Sequence, residues 1–363
     1  MNATARSAAA HTADVVIIGG GVIGLSTTLE LARSGLSCLM LTSDEPGAAS
    51  GAAAGLLAPS VGHLPRSAQS FFDASLRAYA DFIEPLREFD PHLRVLEGLI
   101  EVRGEHDSEP RPGDSLSLDV SEVAEREPHL EAPDGAWLHP SNGAIDNVRL
   151  VGALRAAIER MPGVTILDAT PANRVDLQPG LEIHARDGSL ISTKTVVVAA
   201  GAWSPMIDGL PRHLPVVPLK GQMLAVRSRA LRGPVMGDKI YLVPRIPEGE
   251  IVIGATAEQR GFDLSISPGA IDGLRRQAIA LCRPLGSEPV ARTWAGIRPA
   301  TPDMLPILGP DPEVPSLVYA CGHSKNGILL APATARYVAS CVLGRSFDLD
   351  VSAFAVDRFT LSS

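Results

Sequence analysis

Residues 15–41 decide the fold and read VVIIGGGVIGLSTTLELARSGLSCLML. The first four residues are apolar and β-branched, which is typical of a strand buried on both faces in a parallel sheet. Residues 25–33 follow a helical apolar pattern that ends before Gly35. Residues 38–41 are again wholly apolar and predict a second buried strand. Together these segments predict a strand–helix–strand unit.

The turn between the first strand and the helix holds three glycines with the spacing GxGxxG, at Gly19, Gly21 and Gly24. The first permits a tight turn, the second lets the backbone approach a pyrophosphate, and the third lets the helix pack closely on the strand. The positive N-terminus of the helix favours the phosphate charge. This turn, with Val22 and Ile23, therefore predicts a dinucleotide-binding site.

The end of the second strand departs from the usual pattern. An acidic residue normally stands there and binds the ribose hydroxyls of the dinucleotide. Here the position is occupied by Thr42, which is followed by Ser43 and Asp44. We expect Thr42 and Ser43 to contact the ribose, with Asp44 either assisting them or only capping a turn. If the missing acid weakens binding, Thr42→Glu should tighten it.

Buried strands recur at residues 195–199 and 317–320, and residues 214–253 hold alternating apolar runs that predict an antiparallel sheet. Residues 67–89 predict an amphipathic helix and residues 103–117 an exposed loop. The fold class is therefore α/β, with a Rossmann-like domain interleaved with an α+β, antiparallel-sheet domain. The predicted boundaries are a disordered tail at 1–13, a dinucleotide-binding domain at 14–64, 140–212 and 295–363, and a substrate domain at 65–139 and 213–294.

Composition narrows the function. The chain has 363 residues, of which 45% are apolar and 20% charged, as in an ordinary globular protein. Its net charge of −9 argues against a general affinity for nucleic acid or anionic membranes. No apolar run is long enough to span a bilayer. The four cysteines lie far apart without metal-ligand spacing, so we predict reduced thiols, no metal site and a cytoplasmic location.

Four further segments carry a family resemblance. Residues 49–57, ASGAAAGLL, and residues 196–204, VVVAAGAWS, resemble the flavin-binding segments of the D-amino-acid-oxidase family. Residues 294–299, WAGIRP, and residues 322–334, GHSKNGILLAPAT, resemble the glycine-oxidase branch of that family. The resemblance extends over essentially the whole chain beyond residue 13, and it implies the D-amino-acid-oxidase type of fold.

The resemblance implies that the dinucleotide is FAD. Some relatives attach FAD to a cysteine shortly after the arginine segment, but residues 299–310 contain none, so we predict noncovalent FAD. The cofactor contacts that it implies beyond the glycine turn are Ser50, Gly51, Ala53, Ala54, Gly55, Leu56, Val175, Ala200, Gly201, Trp203, Arg298, His323, Lys325, Asn326, Gly327 and Ile328.

The resemblance also implies the substrate residues. Arg298 is expected to bind a carboxylate, because a planar guanidinium offers two parallel hydrogen bonds; a surface or FAD-facing arginine is the alternative. Tyr241 corresponds to a family tyrosine near the substrate, although tyrosine in a strand often only packs. Lys325 stands where an arginine is expected and lacks its forked geometry. The resemblance places His323 close to the flavin ring, and a purely structural role for this histidine fits the sequence equally well.

The implied activity is FAD-dependent oxidative deamination of a small amine or amino acid, such as glycine, sarcosine or a D-amino acid. Hydride transfer to flavin N5, with oxygen as acceptor, would give an imine that hydrolyses to an oxoacid and ammonia, and peroxide. Two alternatives stay open: an FAD dehydrogenase of N-methyl or cyclic amino acids that uses another acceptor, and a flavin-binding protein with little turnover. A homo-oligomer also stays open.

Overall fold

The computed structural model describes residues 10–59, 65–104, 113–178 and 180–359. The strands in these ranges are β1 Ala10–Ile18, β2 Cys38–Leu41, β3 Leu56–Leu57, β4 Val95–Val102, β5 Leu116–Leu118, β6 Ala136–Ile145, β7 Val164–Leu167, β8 Ala172–Asp176, β9 Leu181–Ala185, β10 Leu190–Val198, β11 Val217–Arg227, β12 Val235–Met236, β13 Tyr241–Arg245, β14 Glu250–Gly254, β15 Val290–Ala300, β16 Ile307–Pro310 and β17 Leu317–Cys321. The α-helices are α1 Val22–Arg33, α2 Ala49–Ala52, α3 Arg66–Arg77, α4 Tyr79–Ile83, α5 Val120–Arg126, α6 Asn147–Glu159, α7 Pro268–Leu281 and α8 Gly327–Leu343. Short 3-10 helices occur at Glu84–Glu88, Gly201–Met206, Arg283–Gly286, Ser352–Phe354 and Val356–Phe359.

The first sheet has the strand order β16-β17-β10-β1-β2-β7, with β9 beside β10 and β8 beside β9. Strand β1 pairs in parallel with both β10 and β2, and its residues from Val15 to Ile18 are buried. The apolar runs that predicted buried strands thus form the centre of a parallel sheet. This confirms the Rossmann-like part of the predicted fold.

Strand β1 begins earlier than predicted. Residues 10–13 were assigned to a disordered tail, but they continue β1 by pairing in parallel with the start of β10, where Ala10 faces Leu190. The alternating, partly polar character of this extension hid it, because a pattern search for buried parallel strands looks for continuous apolar runs. Residues 1–9 of the predicted tail lie outside the described residues.

The second sheet has the order β15-β11-β14-β13-β12-β4-β6-β3, with β5 beside β6. Strand β11 pairs antiparallel with β14 on one side and with β15 on the other. This confirms the antiparallel sheet predicted for residues 214–253. The sheet is larger than predicted, because β15 on one side and β4, β6 and β3 on the other come from outside that range. Strand β6 crosses the predicted boundary at residue 140 and β15 crosses the one at 295, so both boundaries cut through a strand.

The helical segment after residue 65 belongs to a different core from the one predicted. We expected one helix at residues 67–89 in the substrate domain. The segment instead forms α3, α4 and a 3-10 turn with a proline in its first turn. Phe71 and Phe72 pack in the same apolar cluster as Leu329 and Leu330 of α8, beneath the first sheet. The hydroxyl of Ser75 donates to the Leu329 carbonyl at 2.7 Å.

Two other predictions concern an exposed loop and membrane-spanning segments. The predicted loop at residues 103–117 ends in a strand, because β5 pairs with β6, and residues 105–112 of that loop lie outside the described ranges. Among the helices in the described ranges, none combines the length and the apolar character required to cross a membrane.

Candidate functional site

A cleft of about 1830 Å³ is lined by residues of both sheets. It brings together the glycine turn, the small-residue loop after β2, the start of α8 and the predicted substrate residues. The predicted site residues that line it are Gly19, Gly21, Val22, Ile23, Thr42, Ser43, Ser50, Gly51, Ala53, Ala54, Gly55, Leu56, Ala200, Gly201, Trp203, Tyr241, Arg298, His323, Lys325, Asn326, Gly327 and Ile328.

Two glycines of the turn, Gly19 and Gly24, leave no space for a side chain. Gly19 has φ +124°, and a Cβ there would lie 2.2 Å from the carbonyl oxygen of Ala199. A Cβ on Gly24 would lie 1.9 Å from the Gly19 carbonyl oxygen, so Gly24 supports the turn from below instead of lining the cleft. The start of α1 is thereby brought to the cleft, where its N-terminus favours phosphate. These backbone positions fit the pyrophosphate of a dinucleotide.

Three side chains fix the small-residue loop beside this turn. The Ser50 hydroxyl accepts the N–H of Val22 at 2.9 Å. The Asn147 Nδ2 donates to the carbonyls of Ser50 at 2.7 Å and Gly51 at 3.1 Å. The buried Arg245 donates to Asn147 Oδ1 at 2.7 Å and to the Ala54 carbonyl at 3.0 Å. Asn147 and Arg245 were not predicted, because nothing near them in sequence indicates which loop they hold.

Beside the glycine turn, Thr42 has a carboxylate partner. Its hydroxyl donates to Oδ1 of Asp168 at 3.0 Å. Arg155 donates to both oxygens of Asp168, at 2.8 and 2.7 Å, and this hydrogen bonding holds the pKa of the carboxyl below its usual range. Asp168 and Arg155 line the cleft, whereas Asp44 is exposed and does not. Sequence analysis missed both Asp168 and Arg155.

Val175 does not lie where it was expected. Its side chain is fully buried in the core of the first sheet, and it does not line the cleft. Its N–H donates to the carbonyl of Asp208 at 2.9 Å. The structure therefore does not bring Val175 to the cleft with the other predicted cofactor contacts, because the strand turns its side chain into the core and its amide is already bonded.

Arg298 and Tyr241 lie on the second sheet and face the same cleft. The Arg298 Nη1 donates to the carbonyl of Thr256 at 2.9 Å. No carboxylate in the described part of the chain pairs with this half-buried guanidinium. Burial raises the pKa of Tyr241, and the nearby positive charge of Arg298 opposes that rise, so the phenol is neutral at physiological pH.

The strand that carries Arg298 is joined to the small-residue loop. The Trp294 Nε1 donates to the Ala52 carbonyl at 2.9 Å, and the Ile297 N–H donates to the Gly47 carbonyl at 2.8 Å. A Cβ on Gly296 would lie 2.3 Å from the Cβ of Ala52, so only glycine permits this contact. These bonds set the position of Arg298 relative to the cofactor loop.

The start of α8 forms the remaining wall. His323 is buried, its Nε2 lies 3.1 Å from the Thr334 hydroxyl, and burial lowers its pKa to about 3. The ring is therefore neutral, and the geometry favours the structural role left open above. Lys325 is exposed at the cleft, and no described carboxylate pairs with it. Cys321 also lines the cleft, and burial raises the pKa of its thiol to about 12.

Comparisons with known proteins agree with this geometry. A sequence profile of the family described as FAD dependent oxidoreductase (DAO) matches residues 14–341. The bifunctional protein ThiO/ThiG of Synechocystis sp. is 35% identical over 367 residues, which cover 96% of this chain and 54% of that protein. This chain thus spans about half the length of that relative. Glycine oxidase of Pseudomonas aeruginosa is 32% identical over 366 residues, covering 94% of this chain and 98% of that one.

The fold agrees as well. The crystal structure of glycine oxidase from Geobacillus kaustophilus superposes with a TM-score of 0.88 at 29% identity, covering 96% of this chain and 99% of that one. The profile match, the shared fold and the glycine turn together confirm the resemblance drawn from the sequence. The chain belongs to the DAO family of FAD-dependent oxidoreductases.

Proposed function

We propose that this protein is an FAD-dependent oxidase that deaminates a small amino acid, with oxygen as the electron acceptor. The observation that carries the proposal is the guanidinium of Arg298, which is half-buried in the cleft without a carboxylate partner among the described residues. A partly buried cation without a counter-charge is less well solvated than an exposed one, and a ligand that brings a carboxylate compensates for this loss. The substrate class is thus an acid that also carries an oxidisable amine.

The hydrogen-bonding capacity of Arg298 supports this role. One N–H of Nη1 is used by the Thr256 carbonyl, which fixes the plane of the guanidinium. The remaining N–H groups can bind a carboxylate through two parallel bonds, which define its orientation as well as its position. Tyr241, neutral and beside Arg298, can donate a further hydrogen bond to the same carboxylate without adding charge.

A polar network behind Arg298 holds the segment that positions it. The Thr256 hydroxyl donates to Oε1 of Glu258 at 2.5 Å, and Gln222 Nε2 donates to the same oxygen at 2.7 Å. Bonding to Thr256 is the main reason that the pKa of Glu258 lies below its usual range. The Glu258 carboxylate is therefore charged and occupied, and we assign it to positioning and not to proton transfer.

The residues that would hold FAD are those of the glycine turn, the Ser50–Leu56 loop and the start of α8. FAD held there would supply the two-electron oxidation of the substrate amine, and its reoxidation by oxygen would give peroxide. By fixing the carboxylate, Arg298 and Tyr241 would hold the Cα–H toward the cofactor, and positioning of this kind contributes up to about 7–11 kcal/mol. The N-terminus of α8 favours negative charge nearby.

Noncovalent attachment is part of the proposal. Among the described residues, Cys321 is the one cysteine that lines the cleft, and its thiol is protonated at neutral pH because burial raises its pKa to about 12. A protonated thiol is a poor nucleophile. We therefore expect acid or heat to release all the flavin into solution as FAD.

The experiment is anaerobic flavin reduction by the purified holoprotein. Glycine, sarcosine, D-alanine and L-proline are compared with methylamine and ethylamine, which have no carboxylate. Bleaching by at least one amino acid, followed by peroxide formation on admission of air, supports the proposal. Bleaching without peroxide indicates a dehydrogenase that uses another acceptor. Bleaching by the simple amines alone, or by no amine, contradicts the proposed substrate class.

A further inference from the structure

We propose that Asp168 and Thr42 together form the ribose-binding acceptor pair of the cofactor site, in place of the acid that the second strand of this motif normally supplies. The ends of two neighbouring strands lie side by side here. Strand β7 pairs in parallel with β2, and Leu41 faces Leu167. The next residue of each strand is therefore Thr42 on one and Asp168 on the other, at the same carboxyl-terminal edge of the sheet.

The hydrogen bonds at this edge leave two acceptors for a ligand. The only hydrogen of the Thr42 hydroxyl is donated to Asp168 Oδ1, so its oxygen can only accept from the cleft. Asp168 Oδ1 also accepts from Arg155 Nη1, while Oδ2 accepts from Arg155 Nη2 and from no other donor among the described residues. The side chain of Asp168 is 62% exposed, so Oδ2 has both a free lone pair and access to the cleft.

This pair matches the chemistry of a ribose. A vicinal diol brings two O–H donors and needs two neighbouring acceptors, which are the Thr42 oxygen and Asp168 Oδ2. The hydroxyl of Thr42 is a stronger acceptor because it donates to a carboxylate, since hydrogen bonds in a chain polarise one another. A carboxylate acceptor also makes a stronger bond than a neutral one. Bonding to Arg155 keeps the Asp168 carboxyl ionised at mildly acidic pH.

Arg155 acts as the positioning residue of the pair. It lies on α6, bonds both oxygens of Asp168, and is held from the other side by Glu159 at 2.6 Å. These hydrogen bonds fix the plane of the carboxylate before a ligand binds. Glu45 also brings a carboxylate to the cleft, but this carboxylate accepts a hydrogen bond from Arg186 at 3.2 Å.

The test measures cofactor binding by the full-length apoprotein, without turnover. FAD and FMN are titrated by quenching of flavin fluorescence, because FMN lacks the adenosine and its ribose. We expect Asp168→Asn to weaken FAD about ten-fold and to leave FMN unchanged, with Thr42→Val having a smaller effect of the same kind. Asp44→Asn is the matched control, because Asp44 is an exposed carboxylate outside the cleft.

Moving the carboxylate from position 168 to position 42 gives a second, more specific test. Thr42→Glu was expected to tighten FAD on the sequence alone, but beside Asp168 it places two carboxylates together and should weaken FAD several-fold. The double variant Thr42→Glu/Asp168→Asn restores a single carboxylate at this edge, so FAD affinity should return toward that of the unmodified protein. Residues in direct contact are expected to show such non-additivity, so its appearance in the affinity for FAD and not in that for FMN assigns the pair to the adenosine end of the cofactor.

Three results would overturn the proposal. They are unchanged FAD affinity in Asp168→Asn, an equal loss of FAD and FMN, and a loss of FAD in Glu45→Gln instead. An equal loss would mean that Asp168 only maintains the fold of the edge, and circular dichroism of each variant checks the same point. The proposal rests on FAD as the cofactor and not on the substrate, so failure of the amino-acid experiment above would leave this one standing.

Discussion

The guanidinium of Arg298 lies directly over Gly221 of the neighbouring strand. A Cβ at Gly221 would come within 2.5 Å of Nη2, so any larger residue there would displace the guanidinium. The Tyr241 ring lies against Gly254 in the same way, since a Cβ on Gly254 would lie 2.6 Å from the Tyr241 hydroxyl. Two glycines of the second sheet therefore provide the space in which the proposed carboxylate-binding groups lie.

The first prediction is that Gly221→Ala lowers substrate affinity without unfolding the protein. The atom that must move is the far end of a flexible side chain, so Arg298 shifts while the backbone stays in place. We expect the apparent affinity for the amino acid in anaerobic flavin reduction to fall about ten-fold, since a displaced guanidinium loses its bidentate geometry. Bound flavin and the unfolding midpoint should stay near their original values. Unchanged affinity would show that Arg298 does not need this position.

The second prediction concerns Gly24, whose added Cβ would lie 1.9 Å from a backbone oxygen. Backbone cannot rotate away as a side chain does, so Gly24→Ala should cost about 1–3 kcal/mol of unfolding free energy and most of the bound FAD. The control is Gly152→Ala on α6, where an added Cβ meets nothing within 4 Å. That variant should gain about 0.5–1 kcal/mol. Urea unfolding and flavin absorbance measure both, and an unaffected Gly24→Ala would contradict the packing argument.

The central part of the fold was predictable because its signals are local. Four β-branched residues, three glycines at fixed spacing and a helical period lie within residues 15–33, and each restricts its own backbone. The small-residue loop and the start of α8 were found by resemblance, and the cleft brings both together with the glycine turn.

The remainder depends on contacts that no local pattern contains. Asp168 meets Thr42 only because β7 and β2 pair in one register, with 126 positions of chain between the two residues. Arg245 reaches the Ala54 carbonyl from β13, 191 positions along the chain, and Phe71 packs under α8 although its amphipathic period would suit any apolar partner. Strand pairing and helix docking decide such contacts, and the sequence near each residue does not specify its partner.

The third prediction follows from His323. Burial lowers its pKa to about 3, whereas an unfolded chain has the ordinary value of about 6.5. As the pH falls below 6.5, the unfolded state binds a proton that the folded state does not, so stability falls by up to about 1.4 kcal/mol per pH unit. His323→Gln should flatten this loss between pH 6.5 and pH 4 in urea unfolding, while His213→Gln, at an exposed site, should not. If the free energy of unfolding falls equally with pH in His323→Gln and in the original protein, the loss does not come from His323.

The last prediction separates Arg298 from Lys325, the two cations proposed for the substrate end. Arg298→Ala should keep FAD and lose flavin reduction by amino acids, because the carboxylate then enters the cleft without its partner, at a cost of about 3 kcal/mol or more. Arg298→Lys keeps the charge but not the fork, so it should recover only part of the loss. Lys325→Met should have a smaller effect, since Lys325 is exposed. The rate of anaerobic flavin reduction is measured over a range of substrate concentrations, which distinguishes affinity from the limiting rate. If Arg298→Ala matches the original protein in both, the carboxylate anchor is wrong and a substrate without a carboxylate follows.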